Sequence, residues 1–212
     1  MGEAICVQRY GIMGGTFDPI HLGHLVTAEA ARHEFDLQRV FFVPSGNPPH
    51  KQARRVASGE HRYLMALLAT AANPAFYLSR VEIDRAGYSY TYDTVQFFLQ
   101  EYAPCELYFI TGADAIRDIT NWHRHRELLQ TCHFVAATRP GFRLDDHLNS
   151  DHFSQSEMQH IHQLEVPSLA ISSTDVRQRV QNGRPIRYLV PEGVEHYIHK
   201  YRLYAGDDAF DI

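Results

Sequence analysis

The hydrophobic positions along the chain change period several times, and each change marks an element. A short apolar stretch over 10–13, starting a little earlier, predicts a strand. Gly14-Gly15-Thr16 reads as a turn, and Asp18-Pro19 stops any regular element. From Leu22 the spacing is helical, with Leu25, Val26 and Ala30 on the run, which predicts a helix over 22–35. Val40-Phe41-Phe42-Val43-Pro44 is a compact apolar run and reads as a buried strand. A helix over 60–72 carries Arg62, Met65, Leu67 and Leu68 and ends at Asn73-Pro74. Residues 76–84 are extended, and a helix follows at about 92–102. Strands are predicted at 106–110, 133–138 and 164–171, with a short helical stretch before Trp122. The chain closes on a helix opened by Ser172-Ser173-Thr174 and another carrying Val194, Tyr197 and Ile198. Strands alternating with helices predict an α/β fold, with a central, mostly parallel sheet flanked by helices and right-handed crossovers.

Two segments stand outside this pattern. Residues 1–8 form a short lead-in. Residues 143–160 are polar, acidic and histidine-rich and read as a variable solvated loop. His160 and His162 would share a strand face, but the spacings fit no regular zinc pattern, so no metal ligands are assigned.

The candidate chemistry gathers where strands end. His21 and His24 are three apart and share one face of a first helical turn. That turn follows Gly14, Gly15, Thr16 and Phe17, and Gly23 offers no side chain between the histidines. Helix N-termini expose unpaired N–H groups and the positive end of the dipole, so this loop suits a phosphate. Gly14 and Gly15 are expected to allow close approach and positive φ, and Asp18 to cap the loop or helix start. The glycines are spaced G-x-x-G-G, which is not the dinucleotide fingerprint. Pro48-Pro49-His50-Lys51, after the second strand, is a rigid loop with two cationic candidates, or a plain solvent loop. Ser89, Thr91 or Asp93 read as a helix cap as readily as a binding segment. Thr111-Gly112-Ala113-Asp114 ends a strand, with Asp114 either a cap or an acceptor for sugar hydroxyls. Trp122 either seals a core edge or stacks on a flat ring. Ser173, Thr174 and Arg177 open a helix either as caps or as a second phosphate cradle.

Taken in order, these segments resemble the bacterial nicotinate-nucleotide adenylyltransferases, a family of the H-x-G-H nucleotidyltransferases. His21-Leu22-Gly23-His24 carries the superfamily signature, and Pro48-Pro49-His50-Lys51, Ser89–Thr94, Gly112-Ala113-Asp114, Trp122 and Ile171–Arg177 resemble further family motifs. The resemblance runs from about Tyr10 to Tyr204. It implies a Rossmann-like nucleotidyltransferase fold and transfer of the adenylyl group of ATP to nicotinate mononucleotide. It implies His21, His24, Lys51 and Arg177 as catalytic residues. Gly14, Gly15, Thr16, Phe17, Gly23, Gly112, Asp114, Ser173 and Thr174 would bind ATP, and His50, Thr91, Tyr92 and Trp122 the mononucleotide. Mg²⁺ is expected to arrive on ATP oxygens, because few carboxylates lie in these loops. The rivals are a sister adenylyltransferase for nicotinamide mononucleotide, phosphopantetheine or flavin mononucleotide, and a nucleotide-binding regulator without turnover.

Composition narrows the picture further. The 212 residues suit one domain, and 44% hydrophobic residues suffice for a sizeable core. A formal net charge of −5 argues against general nucleic-acid binding. Three well-separated cysteines, Cys6, Cys105 and Cys132, support neither a disulfide framework nor a zinc knuckle and suit a reducing, cytoplasmic compartment. No apolar run approaches the length of a membrane span or a signal peptide. The sequence leaves assembly open, with a homo-oligomer among the outcomes.

Overall fold

A computed structural model describes residues 7–47, 56–142, 144 and 153–206. Six strands form one sheet in the order β3-β2-β1-β4-β5-β6, and every neighbouring pair is parallel. The strands are β1 (Gln8–Gly15), β2 (Arg39–Pro44), β3 (Phe76–Leu78), β4 (Cys105–Gly112), β5 (His133–Thr138) and β6 (Ile161–Glu165). The helices are α1 (Leu22–Glu34), α2 (Gly59–Thr70), α3 (Thr91–Glu101), α4 (Ala113–Arg117), α5 (His125–Thr131), α6 (Gln155–Met158), α7 (Ser173–Gln181) and α8 (Glu192–Lys200).

Both faces of the sheet are covered, which is why β2 reads as a continuous apolar run instead of an alternation. Val40 and Phe42 point into one core with Ala28 and Ala31 of α1, Met65 of α2, Val176 of α7 and Ile198 of α8. Phe41 and Val43 point into the other with Val95 and Phe98 of α3, Ile116 of α4 and Leu128 of α5. The strand order reverses direction between β1 and β4. In an open parallel sheet the crevice beyond the strand ends opens at such a reversal.

The differences from the sequence reading have local causes. Strand β1 runs through Gly14 and Gly15, which pair with Val43 and Pro44 of β2, so the turn begins after them. The segment expected to be extended over 76–84 is a strand only as far as Leu78, at the sheet edge. Helix α5 starts just past Trp122, and α6 sits inside the polar 143–160 segment. The latter is announced by Ser154, whose hydroxyl accepts from the Glu157 N–H at 3.2 Å while Glu157 accepts from the Ser154 N–H at 2.7 Å. The last strand lies at Ile161–Glu165, earlier than 164–171; it is an edge strand with one buried side chain, Leu164, so its alternation is weak.

Candidate active site

A cleft of about 570 Å³ opens at the carboxyl ends of β1, β4 and β5. It is lined by Gly14, His21, Gly23, His24, Gly112 and Asp114, all expected from the sequence, and also by Thr111, Arg139 and the apolar wall of Val166, Leu169 and Ile171. The floor is therefore the reversal point of the sheet, and the side wall is the first turn of α1.

His21 is the N-cap of α1 with extended backbone angles, so its ring sits where the free N–H groups begin. The two imidazoles lie with centroids 3.8 Å apart, and Phe17 meets His24 edge-on at 5.1 Å. The His24 Nδ1 accepts the backbone N–H of His21 at 3.1 Å. A neutral ring that accepts at Nδ1 carries its proton on Nε2, which leaves His24 an N–H donor. Burial pushes His21 down to about 4, and burial together with His21 pushes His24 down to about 3. Both are thus neutral at pH 7. Among the described residues the buried His21 Nδ1 has no hydrogen-bond partner, a state that costs free energy until a ligand or water satisfies it.

The glycines earn their positions by space, a correction to the expectation of positive φ. Among the described residues positive-φ glycines are Gly87, Gly141, Gly183 and Gly206, not Gly14 or Gly15. A Cβ on Gly14 would lie 2.8 Å from the Phe109 ring, and one on Gly15 2.8 Å from Phe17. At Gly23 it would approach the His21 ring at 3.0 Å. Phe17 itself takes the left-handed conformation, φ 51°, and is buried in the core behind the cleft.

Asp18 does not cap α1. It is buried, accepting the Tyr204 hydroxyl at 2.8 Å and the Ala57 N–H at 3.3 Å, with Arg177 Nη1 at 3.6 Å. Arg177 also donates through Nη1 to the Asp18 carbonyl and through Nη2 to the Thr174 hydroxyl at 2.9 Å. Ser173 donates to the Pro19 carbonyl at 2.8 Å. Ser173 and Arg177 thus tie the start of α7 to the loop ahead of α1, and Thr174 is held by Arg177. The side chain that caps α7 is Ser172, accepting from Asp175 N–H at 3.1 Å.

Two features were missed. Arg139 supplies the positive charge among the described cleft residues; its signal was its place just past a strand's carboxyl end. Arg62 is buried and donates to the carbonyls of Thr16 at 2.9 Å, Ser45 at 2.6 Å and Ala57 at 2.9 Å, bracing the loop that holds Thr16. Nothing in its helical context distinguished it from a solvent-facing arginine.

Family comparison fits this geometry. Residues 12–179 match the cytidylyltransferase-like family model. The chain is 58% identical over 204 residues to a probable nicotinate-nucleotide adenylyltransferase of Thermoanaerobacter sp. (strain X514), covering 94% of this chain and 96% of that one. It is 62% identical over 198 residues to the probable enzyme of the same kind from Moorella thermoacetica, covering 92% and 91%. The chain belongs to the nicotinate-nucleotide adenylyltransferase family. The fold is similar to that of a Plasmodium falciparum nicotinic acid mononucleotide adenylyltransferase complexed with NaAD, with TM-score 0.74 at 20% identity over 94% of this chain and 98% of that one.

Of the remaining family positions, Thr91, Tyr92 and Trp122 fall among the described residues. Trp122 is half-buried and packs edge-on against Phe109 at 5.9 Å and Phe134 at 6.1 Å. Phe109 is the ring that excludes a side chain at Gly14, so it joins the tryptophan to the histidine loop. Thr91 opens α3, and Tyr92 meets His123 edge-on at 6.3 Å and carries the Arg124 guanidinium 3.9 Å above its ring. His50 and Lys51 lie outside the described residues. No helix among the described residues is long and apolar enough to cross a membrane.

Proposed function

We propose that the protein transfers the adenylyl group of ATP to nicotinate mononucleotide, giving nicotinate adenine dinucleotide and pyrophosphate. A phosphate oxygen of the mononucleotide attacks the α-phosphorus of ATP in line, a new O–P bond forms, and the bond to the β-phosphate oxygen breaks. The nucleophile is already anionic at pH 7, so the site needs positioning and charge stabilisation more than a strong base. The observation that carries this reading is the pair of neutral imidazoles at the first turn of α1, one with a buried nitrogen that has no hydrogen-bond partner among the described residues.

In this reading the phosphates of ATP lie over the α1 N-terminus, where the dipole and the His24 Nε2–H meet developing negative charge. Their approach favours the protonated imidazoles that burial disfavours in the free protein. Gly23 keeps the path open, and Arg139 adds the cation that Arg177 spends on Asp18. Asp114, whose side chain is 96% exposed, faces ribose hydroxyls, and Val166, Leu169 and Ile171 offer apolar surface to the base. Thr91, Tyr92 and Trp122 receive the pyridine ring, with His50 and Lys51 at its phosphate. A magnesium ion would travel with ATP, with Asp114 as the one carboxylate among the described cleft residues.

The test is product formation with ATP and Mg²⁺ against nicotinate mononucleotide, nicotinamide mononucleotide, phosphopantetheine and flavin mononucleotide, scored by mass spectrometry and pyrophosphate release. Strong preference for the first is expected. Preference for another acceptor would overturn the assignments of Thr91 and Trp122 while keeping those of His21 and His24.

A further inference from the structure

We infer that Gln163 is a positioning residue for ATP: its side-chain amide holds the turn after β5 and so fixes Phe142 as an aromatic wall of the cleft. The inference deepens the functional reading above and rests on it for the nucleotide.

Gln163 lies on edge strand β6, in register with Ala136 of β5. It is exposed, while its neighbour Leu164 points into the core that holds Ala28 and Ala31 of α1. Side chains alternate along a strand, so Gln163 stands on the opposite face, where Leu144 is buried. There its amide makes two bonds to the backbone of the returning chain. Nε2 donates to the Phe142 carbonyl at 3.0 Å, and Oε1 accepts the Leu144 N–H at 2.8 Å. A primary amide offers a donor and an acceptor side by side, as a peptide group does. It therefore ties both residues at once.

Up to that point the turn is stiff by itself. Phe142 N–H donates to the Arg139 carbonyl at 3.1 Å, and Pro140-Gly141 fill the middle, with Gly141 at φ 82°. That order is the one a type II turn favours. The turn delivers Phe142 as a unit, and Gln163 decides where the unit rests. Phe142 lines the cleft together with Arg139, Leu169 and Ile171. An aromatic ring among apolar side chains suits a flat purine base, which stacks on a π-face. Packing alone does not call for this glutamine: an exposed edge position tolerates other polar residues, and water could satisfy the turn. What the amide adds is one fixed place for the ring.

The experiment separates a role in ATP binding from a role in folding. Gln163→Leu keeps the size and deletes both bonds. It should raise KM for ATP about tenfold, the scale of one lost hydrogen bond, and leave KM for nicotinate mononucleotide within about twofold. Gln163→Glu keeps an acceptor for Leu144 but loses the donor to Phe142, so it should raise KM for ATP in the same direction. If Gln163→Leu does not fold, Gln163→Glu decides. Phe142→Leu closes the cycle: in that background Gln163→Leu should change KM for ATP by no more than about twofold, because residues that act through one contact are not additive. A lower melting temperature with KM for ATP unchanged, equal rises in both KM values, or additive effects of the two substitutions would overturn the inference. Should wild-type protein make no product from this pair, the functional reading fails by itself, and calorimetric ATP binding takes the place of KM. Binding weakened about tenfold in Gln163→Leu then upholds the inference; equal binding, or none by wild-type protein, overturns it.

Discussion

At the scale of single residues, the histidines of α1 show how burial prepares a site for charge it does not yet hold. His24 accepts the His21 N–H through Nδ1 and so keeps Nε2–H as a donor. Replacing His24 by Ala removes that donor, and kcat should fall roughly 10²–10³-fold, the scale for losing one transition-state hydrogen bond. An unchanged kcat in folded His24→Ala protein would remove the residue from the mechanism. The same burial has a consequence for stability. His21 and His24 are held at about 4 and about 3 from an ordinary 6.5, and His133 at about 4 by burial and its histidine neighbours. Below 6.5 the unfolded chain binds protons that the folded protein refuses, so stability is lost as pH falls from 6.5 toward 4. Melting temperatures across that window should show the fall. A His21→Gln/His24→Gln variant should show a shallower one, with His133 and His162 still contributing. An identical slope in the variant would clear the pair of responsibility.

At the scale of elements, Gly14 of β1 and Phe109 of β4 are coupled by lack of room. The adjoining residues Met13 and Ile110 are register partners, and the Phe109 ring covers the space a Gly14 Cβ would need. Gly14→Ala must push that ring, and with it Trp122 packed edge-on against it. Overpacking of this kind costs about 1–3 kcal/mol, and the tryptophan fluorescence should change with the melting temperature. A shift in neither would mean the ring moves freely. The case also shows what the sequence could tell. Periodicity exposed most buried strands and long helices, because a sheet covered on both faces demands continuous apolar runs such as Val40–Val43. The histidine loop was legible because its residues are adjacent in the chain. The reason for Gly14 was not, since its neighbour Phe109 is brought there only by strand pairing. The ties of Arg177 are hidden from the sequence for a like reason: a hydroxyl-rich helix start looks the same whether or not its arginine meets a buried Asp18 far away in sequence. Edge strand β6 and the short α5 and α6 bury too few side chains to imprint a period.

At the scale of the whole molecule, the loop that presents the histidines is held from behind by the last third of the chain. Ser173 bonds the Pro19 carbonyl, Arg177 the Asp18 carbonyl, and the Leu22 N–H reaches the Leu189 carbonyl at 3.0 Å. Tyr204 closes the set, its hydroxyl 2.8 Å from the Asp18 carboxylate. The terminal turn thus stabilises a loop that begins 186 residues earlier. Tyr204→Phe keeps the buried ring and deletes only the donor. Loss of a hydrogen bond to a buried carboxylate costs about 1.5–3 kcal/mol, and the melting temperature should fall accordingly. Because Asp18 lies three residues before His21, the loosened carboxylate should also misplace the imidazoles. We therefore expect kcat to fall in the variant at temperatures well below its unfolding, with KM for the mononucleotide little changed. Thermal unfolding and steady-state kinetics on the same preparation separate the two effects. A lowered melting temperature with full kcat would mean that the C-terminal tie supports the fold while α1 alone positions His24.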